Sequence, residues 1–160
     1  EQGFSERSRA LTTTSLYSNG TWLTMLPSLF VGATCVVMPA FDPREFLATL
    51  VREKITHTFM VPAQFLMVLA HPEFDQFDTS GLQTLLCAGS PLRRDTKREV
   101  VRRVIGLLKP GGLFFIGHSE SLNDISAPLD AVCPSVYRRR DERAARLGRR
   151  QSDELLQELP

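Results

Sequence analysis

The stretch from residue 82 to residue 120 constrains the fold of this chain more than any other part of it. Leu82–Cys87 is a short apolar run that leads into small turn-forming residues. Apolar residues then recur at spacings of three and four over residues 100–108, the pattern of a helix with one buried face. Pro110-Gly111-Gly112 ends that periodicity, and a second apolar run follows. The stretch therefore predicts a strand, a helix and a strand in succession.

The rest of the chain repeats this alternation of apolar runs and helical patterns. Alternation of this kind predicts an α/β fold, a mostly parallel sheet with helices on its faces, in which ligands bind at the carboxyl ends of the strands. Residues 1–13 are polar and are expected to be frayed. The other expected strands are 16–20, 34–38, 56–61 and 131–137, of which 34–38 is expected to be buried. The other expected helices are 21–30, which is apolar throughout and expected to be buried, 42–54, and one that begins at Pro62.

Composition limits the classes of partner. The net charge is +1, 42% of the residues are hydrophobic and 23% are charged, which is ordinary for a globular domain and favours neither nucleic acid nor acidic membranes. The sequence contains no apolar run long enough to span a bilayer. Cys35, Cys87 and Cys133 lie far apart in apolar settings, so we predict reduced core thiols, no metal site and a cytoplasmic location. Because the chain begins at Glu1, we interpret it as a fragment or processed piece.

A cluster of polar and aromatic residues lies where a predicted strand meets a helix. Its members are Tyr17, Ser18, Asn19 and Trp22. Their aromatic rings and amide could shape a pocket for an acyl or aryl group. Alternatively, the cluster is only a turn whose aromatic rings belong to the core.

The turn after the strand Leu82–Cys87 is the second candidate site. It consists of Ala88, Gly89, Ser90 and Pro91. Glycine lets the backbone approach a ligand closely, and free amides in such a turn can face a nucleotide. Many strand-to-helix turns share this composition, so an ordinary connection is the alternative.

The histidines give no firm catalytic candidate. His57 lies in a predicted strand, which is typical of a hydrogen-bonded structural residue, and His71 is expected to face solvent. His118 and Glu120 could form an acid–base pair, or they could be unrelated positions near the end of a strand. The sequence contains no phosphate loop with its lysine, no dinucleotide fingerprint and no zinc motif. We therefore predict no catalytic residue in this chain.

Residues 15–92 resemble the AMP-forming acyl-CoA synthetases of the adenylate-forming ligase superfamily. The resemblance rests on SLYSNGTW, LPSLFVGATCVVMPAFDPREFL, ITHTFMVPAQF and LQTLLCAGSPL, in this order. It implies part of a large N-terminal domain that uses ATP, AMP and coenzyme A to activate a small-molecule carboxylic acid. It also implies that Tyr17, Ser18, Asn19 and Trp22 line the acyl pocket, with residues 61–64 nearby, and that residues 88–91 border the adenine. The family's phosphate loop, Tyr-Gly-x-Thr-Glu motif, ribose-binding aspartate and catalytic lysine are absent from this sequence.

Residues 94–140 resemble a different family, the C-terminal end of the chemotaxis-receptor glutamate methyltransferases. The run RDTKREVVRRVIGLLKPGGLFFIGHSESLN, followed by PSVYRRR, carries this resemblance. It implies S-adenosylmethionine as cofactor and a position near that cofactor for residues 118–120. The glycine-rich motif that holds the methyl donor in that family is absent here.

Together the two resemblances predict a chimera. Its parts would be a ligase-like segment 1–92, a methyltransferase-like segment 93–140 and a charged helical tail 141–160, with the join near residues 92–101. We expect secondary structure to survive such a join better than a unique core does. The predicted function is that of an acyl-CoA ligase fragment that is inactive alone. The alternatives are S-adenosylmethionine-dependent glutamate methylation and a recombined chain without activity.

Overall fold

The computed structural model describes residues 3–89, 94–117, 122 and 125–141 of the chain. Its strands are β1 Arg9–Thr12, β2 Thr34–Val37, β3 His57–Met60, β4 Leu82–Cys87, β5 Leu108–Ile116, β6 Leu129–Cys133 and β7 Val136–Arg139. Its helices are α1 Asn19–Val31, α2 Pro43–Arg52, α3 Pro62–Leu69 and α4 Arg94–Leu107. The predicted tail helix lies outside the described residues.

All seven strands form one sheet in the order β2-β1-β3-β4-β5-β7-β6. The first five are parallel, and β7 runs antiparallel to both of its neighbours. The structure thus confirms the predicted α/β fold with a mostly parallel sheet. Since parallel crossovers are right-handed, this strand order places α1 on one face and α2, α3 and α4 on the other.

The first strand corrects two expectations. Residues 1–13 are not all frayed, because β1 pairs with β2 on one side and with β3 on the other. Residues 16–20 are not a strand, since they hold a turn and the start of α1. The Arg9 side chain forms an ion pair with Glu53 at 2.9 Å, and its backbone N–H donates to the Thr56 hydroxyl at 2.9 Å. These long-range contacts hold a four-residue strand in place that the sequence pattern of residues 9–12 does not predict.

Both ends of the sheet also differ from expectation. Residues 131–137 were expected to form one strand, but β6 and β7 form a hairpin that turns at Ser135, whose φ is +64°. β2 is an edge strand with Val37 48% exposed, so it is not fully buried.

The three cysteines also differ from the expectation that all of them are core thiols. Only Cys87 is buried, Cys133 is exposed, and Cys35 is partly buried, which raises the pKa of its thiol through desolvation.

Local capping explains where several elements begin and end. Asp42 accepts the backbone N–H of Glu45 at 2.8 Å and precedes Pro43, so α2 starts as predicted. Pro62 likewise opens α3. α4 ends at Leu107 and continues directly into β5, with Gly111 at φ +78° inside the strand. The Pro-Gly-Gly run therefore lies within β5, beyond the end of the helix.

The hydrophobic core lies between the sheet and α2, α3 and α4. Phe46, Phe65 and Phe114 are fully buried there. The same cluster includes Val104 of α4 and Tyr137 of β7. Residues on both sides of the predicted join near 92–101 therefore pack into one core. That the core is less unique than the secondary structure stays a prediction, which the cooperativity of urea unfolding tests.

α1 presents the reverse of an ordinary amphipathic helix. Its buried face is small and hydroxylic, formed by Gly20, Thr21, Thr24 and Ser28. Its outer face exposes large apolar side chains, with Leu29 60% and Phe30 92% exposed. The expectation of a helix buried throughout is therefore wrong for the described chain. The side chains of α1 that pack against the sheet are small, which lets the helix approach it closely, and the large apolar side chains of α1 point outward.

We predict that Gly20→Ala destabilises the chain. A Cβ at this position would overlap the ring of Phe59, so either the ring or the helix has to move. Overpacking of this kind costs about 1–3 kcal/mol of unfolding free energy, measured by urea denaturation. Gly106→Ala in α4 is the matched control, because no atom lies within 4 Å of its added Cβ. The control should stabilise the chain by up to about 1 kcal/mol, and equal effects of the two variants would contradict the described packing of α1.

Candidate functional site

The polar residues of interest gather where the parallel strands end. β1 lies between β2 and β3, and the chain passes from β1 to β2 on one side and then crosses to β3 on the other. The loops after β1 and β3 therefore leave the sheet toward opposite faces. Such a reversal of strand order opens a crevice at the carboxyl ends of the strands, the usual ligand position in open α/β sheets. The loop after β4 lies beside it.

Gln64 ties the first two of these loops together. Its side-chain Nε2 donates to the carbonyl oxygen of Thr13 at 2.9 Å, and its Oε1 accepts the backbone N–H of Val61 at 3.3 Å. The Thr13 hydroxyl lies 3.1 Å from Gln64 Oε1 and 2.9 Å from the carbonyl oxygen of Phe59. This single hydroxyl proton serves one acceptor at a time. The result is a network that holds the end of β1 against the start of α3.

Gly89 brings the third loop into the same group. Its φ is +106°, a conformation that favours glycine, and a Cβ at this position would lie 3.3 Å from Cγ1 of Val61. The loop after β4 therefore approaches the loop after β3 closely. The described residues that follow β1, β3 and β4, namely 13–18, 61–64 (which include the first turn of α3) and 88–89, form one contiguous edge, which we call the carboxyl edge.

The four predicted pocket residues lie at the start of α1, next to this edge. Ser18 is the N-cap of α1 and accepts the backbone N–H of Gly20 at 3.3 Å. Asn19 is exposed, Trp22 is 39% exposed and Tyr17 is 91% exposed. The aromatic rings are thus available to a ligand and do not belong to the core. Within the described chain they lie on an open surface.

The second predicted group is only partly described. Ala88 is half-buried and Gly89 exposed, whereas Ser90 and Pro91 lie outside the described residues. His118 and Glu120 lie outside them as well. Sequence reasoning noted residues 61–64 only as neighbours and missed Thr13. The available signal was a glutamine in the first turn of a helix that begins with proline, a position from which its side chain reaches back to the helix start.

The chemical groups at the carboxyl edge suit binding. Loops 13–18, 61–64 and 88–89 contain hydroxyls, one carboxamide and one phenol, but no carboxylate, imidazole or ammonium group. Such groups can orient a ligand through hydrogen bonds and ring contacts. A general acid or base working near neutral pH would have to come from elsewhere.

The remaining histidines have structural surroundings. His57 is buried, its Nδ1 lies 2.7 Å from the Thr56 hydroxyl, and its ring packs against Phe4 at 4.1 Å. This confirms a hydrogen-bonded structural residue. His71 is only half-exposed, and its Nδ1 accepts the backbone N–H of Glu73 at 3.2 Å, so it does not simply face solvent.

Two further properties concern the described residues only. Among them, no group of three or more His, Cys, Asp or Glu side chains could hold a metal ion. No helix within the described ranges is long and apolar enough to cross a membrane.

Comparison with known proteins identifies the family. A sequence model of the AMP-binding enzyme family matches residues 1–113. The chain therefore belongs to the AMP-binding enzyme family. It is 34% identical over 88 residues to a feruloyl-CoA synthase of Amycolatopsis sp, which covers 55% of this chain and 18% of that protein. It is 35% identical over 83 residues to the indoleacetate–CoA ligase of Aromatoleum aromaticum, covering 52% of this chain and 16% of the ligase.

Solved structures agree on the fold. The anthranilate CoA ligase AuaEII, crystallised with anthranoyl-AMP, matches with a TM-score of 0.59 and 25% identity over 74% of this chain and 23% of its own. The N-terminal domain of FACL13 from Mycobacterium tuberculosis matches with the same TM-score at 19% identity, over 74% of this chain and 29% of its own. The chain thus spans less than a third of each relative named here.

We predict that Thr13 and Gln64 are energetically coupled. In a double-mutant cycle, Thr13→Val and Gln64→Leu should together cost less than the sum of the two single variants, by about 0.5–1.5 kcal/mol, because both remove the hydrogen bond between the Thr13 hydroxyl and Gln64 Oε1. The measurement is the free energy of unfolding in urea for all four proteins.

The control cycle replaces Gln64→Leu with Gln83→Leu, a partly exposed glutamine at the opposite end of the sheet in β4. That pair should be additive. Additivity of Thr13 with Gln64 would contradict the network.

Proposed function

We propose that this chain is the acyl- and adenylate-binding part of an AMP-forming acyl-CoA ligase. The parent reaction activates a carboxylic acid with ATP to an acyl-adenylate and then transfers the acyl group to coenzyme A. The observation that carries the proposal is the position of the carboxyl edge at the reversal of strand order in a chain of the AMP-binding family.

Within this proposal the two predicted residue groups hold different parts of the ligand. Tyr17 and Trp22 contact the acyl group with exposed aromatic rings, and Ser18 and Asn19 flank them at the start of α1. Ala88 and Gly89, with Ser90 and Pro91 next in the chain, border the adenine. Gln64 is a positioning residue, because it fixes the loops after β1 and β3 relative to each other.

The acid is proposed to be aromatic. The feruloyl-CoA synthase and the indoleacetate–CoA ligase are named for aromatic acids, and AuaEII was crystallised with an aromatic acyl-adenylate. Flat aromatic groups match the exposed rings of Tyr17 and Trp22. We expect no acyl-CoA formation by this chain alone, since its sequence lacks the phosphate loop and the catalytic lysine that the family resemblance implies.

The methyltransferase alternative gains no support from these comparisons. The family match continues to residue 113, beyond the join predicted near 92–101. Residues 114–141, which include the β6–β7 hairpin, lie past the match. S-adenosylmethionine binding by that part of the chain stays a prediction, as does the chimera, and the experiment below includes its ligand.

We predict saturable binding of feruloyl-sulfamoyladenosine, a non-hydrolysable aryl-adenylate analogue, measured by isothermal titration calorimetry. Tyr17→Ala should weaken binding about tenfold, which corresponds to about 1.4 kcal/mol, because an exposed ring then no longer covers the aryl group. Phe30→Ala is the matched control, since Phe30 is as exposed as Tyr17 but lies at the far end of α1. Its affinity should equal that of the unaltered chain.

Two outcomes would contradict the proposal. One is the absence of adenylate binding by a chain that unfolds cooperatively. The other is equal weakening by Tyr17→Ala and Phe30→Ala. S-adenosylhomocysteine, titrated in parallel, should give no heat, and saturable binding of it without adenylate binding would favour the methyltransferase.

A further inference from the structure

The buried face of α1 carries hydroxyl groups at positions where a helix normally packs apolar side chains. The side chains of Thr21, Thr24 and Ser28 are fully buried. A buried hydroxyl costs free energy unless it is hydrogen-bonded, and each of these three has a partner. The partners differ in where they lie, and this difference distinguishes Thr21 from the other two.

The hydroxyls of Thr24 and Ser28 bond back to their own helix. The Thr24 hydroxyl donates to the carbonyl oxygen of Thr21 at 3.1 Å, and the Ser28 hydroxyl donates to that of Thr24 at 2.7 Å. Bonds to the preceding turn are common for threonine and serine in helices. They satisfy the hydroxyl without tying α1 to another segment of the chain.

The hydroxyl of Thr21 instead reaches out of the helix into the loop after β1. Its Oγ1 lies 2.9 Å from the carbonyl oxygen of Thr14 and 2.8 Å from that of Ser15. It also lies 2.8 Å from the Thr14 hydroxyl. Because Thr21 donates its one proton to a carbonyl oxygen, the Thr14 hydroxyl donates to Thr21 Oγ1. One buried side chain therefore holds two consecutive residues of the loop.

The turn that presents Tyr17 starts at this bond. The carbonyl oxygen of Ser15, which faces the Thr21 hydroxyl, also accepts the backbone N–H of Ser18 at 2.8 Å and so closes a turn over residues 15–18. Tyr17 lies inside this turn and is 91% exposed. Its ring is therefore directed by the backbone of the turn more than by packing against other side chains.

Both ends of this arrangement are anchored to the sheet. Gly20, next to Thr21, packs against the ring of Phe59 in β3, which fixes the start of α1. Gln64 holds the carbonyl oxygen of Thr13 from the side of α3. The loop after β1 is thus held by Gln64 where it leaves the strand and by Thr21 where the turn begins.

We propose that Thr21 is a positioning residue of the acyl-adenylate site. Its hydroxyl holds the base of the turn of residues 15–18 and thereby places the Tyr17 ring against the acyl group. This inference rests on the proposed function, in which Tyr17 contacts the acyl group. Thr24, on the same buried face, has no such role, because its hydroxyl bonds within the helix.

The test compares three variants by their affinity for feruloyl-sulfamoyladenosine in isothermal titration calorimetry. Thr21→Val keeps the shape of the side chain without its hydroxyl and should weaken binding about five- to tenfold, as expected for loss of hydrogen bonds that order the site. Thr21→Ser keeps the hydroxyl and should bind as tightly as the unaltered chain. Thr24→Val is the matched control and should leave the affinity unchanged, since it removes a buried hydroxyl from the same face.

A second measurement needs no ligand. NMR order parameters of the backbone amides of Leu16, Tyr17 and Ser18 report the mobility of the turn on the picosecond-to-nanosecond timescale. They should fall in Thr21→Val and stay unchanged in Thr21→Ser and Thr24→Val. Urea unfolding of each variant separates this effect from a general loss of stability, because Thr21→Val and Thr24→Val each remove one buried hydroxyl.

The two measurements separate failure of this inference from failure of the proposed function. Equal effects of Thr21→Val and Thr24→Val on affinity, or no recovery in Thr21→Ser, would overturn the positioning role while the unaltered chain still binds the analogue. No binding by the unaltered chain would overturn the proposed function and, with it, the role of Thr21 in ligand binding. Unchanged order parameters in Thr21→Val would show that its hydroxyl does not hold the turn.

Discussion

The parallel pairing of β1 between β2 and β3 is the constraint on which the rest of the structure depends. Leu11 pairs with Val36 on one side and with Thr58 on the other. This one strand reverses the direction in which the sheet grows. The reversal sends α1 to one face and α2 to the other, and it opens the crevice at the carboxyl edge. Without β1, Gln64 would have no Thr13 to bind, and β2 would have no neighbour.

The two faces of the sheet are stabilised in different ways. On the side of α2, α3 and α4, large apolar side chains such as Phe46, Phe65 and Phe114 fill the space. On the side of α1, contact depends on close approach by Gly20 and buried hydroxyls, and the apolar bulk points outward. The buried Thr12 hydroxyl at the end of β1 has no hydrogen-bond partner in the described structure, an energetic cost on this same side.

The sequence predicted the elements whose local pattern agrees with their tertiary role. The strand Leu82–Cys87, the capped helix at Asp42 and the stripe on α4 are of this kind. β1 was missed because Arg9–Thr12 has no pattern of its own and is held by partners about 25 and 47 residues away. The burial of α1 was misjudged because an apolar run does not reveal which side meets the sheet. Of the candidate site, the turns were foreseen, but the hydrogen bonds through Gln64 depend on three-dimensional placement.

The measurement that tests the central claim most directly is a set of backbone amide NMR spectra of the chain, recorded during titration with the aryl-adenylate analogue. The account predicts that the largest shift changes fall on residues 13–18, 61–64 and 88–89, which follow β1, β3 and β4 and meet at one edge of the sheet. Changes concentrated at the amino end of the sheet, or on the β6–β7 hairpin, would contradict it.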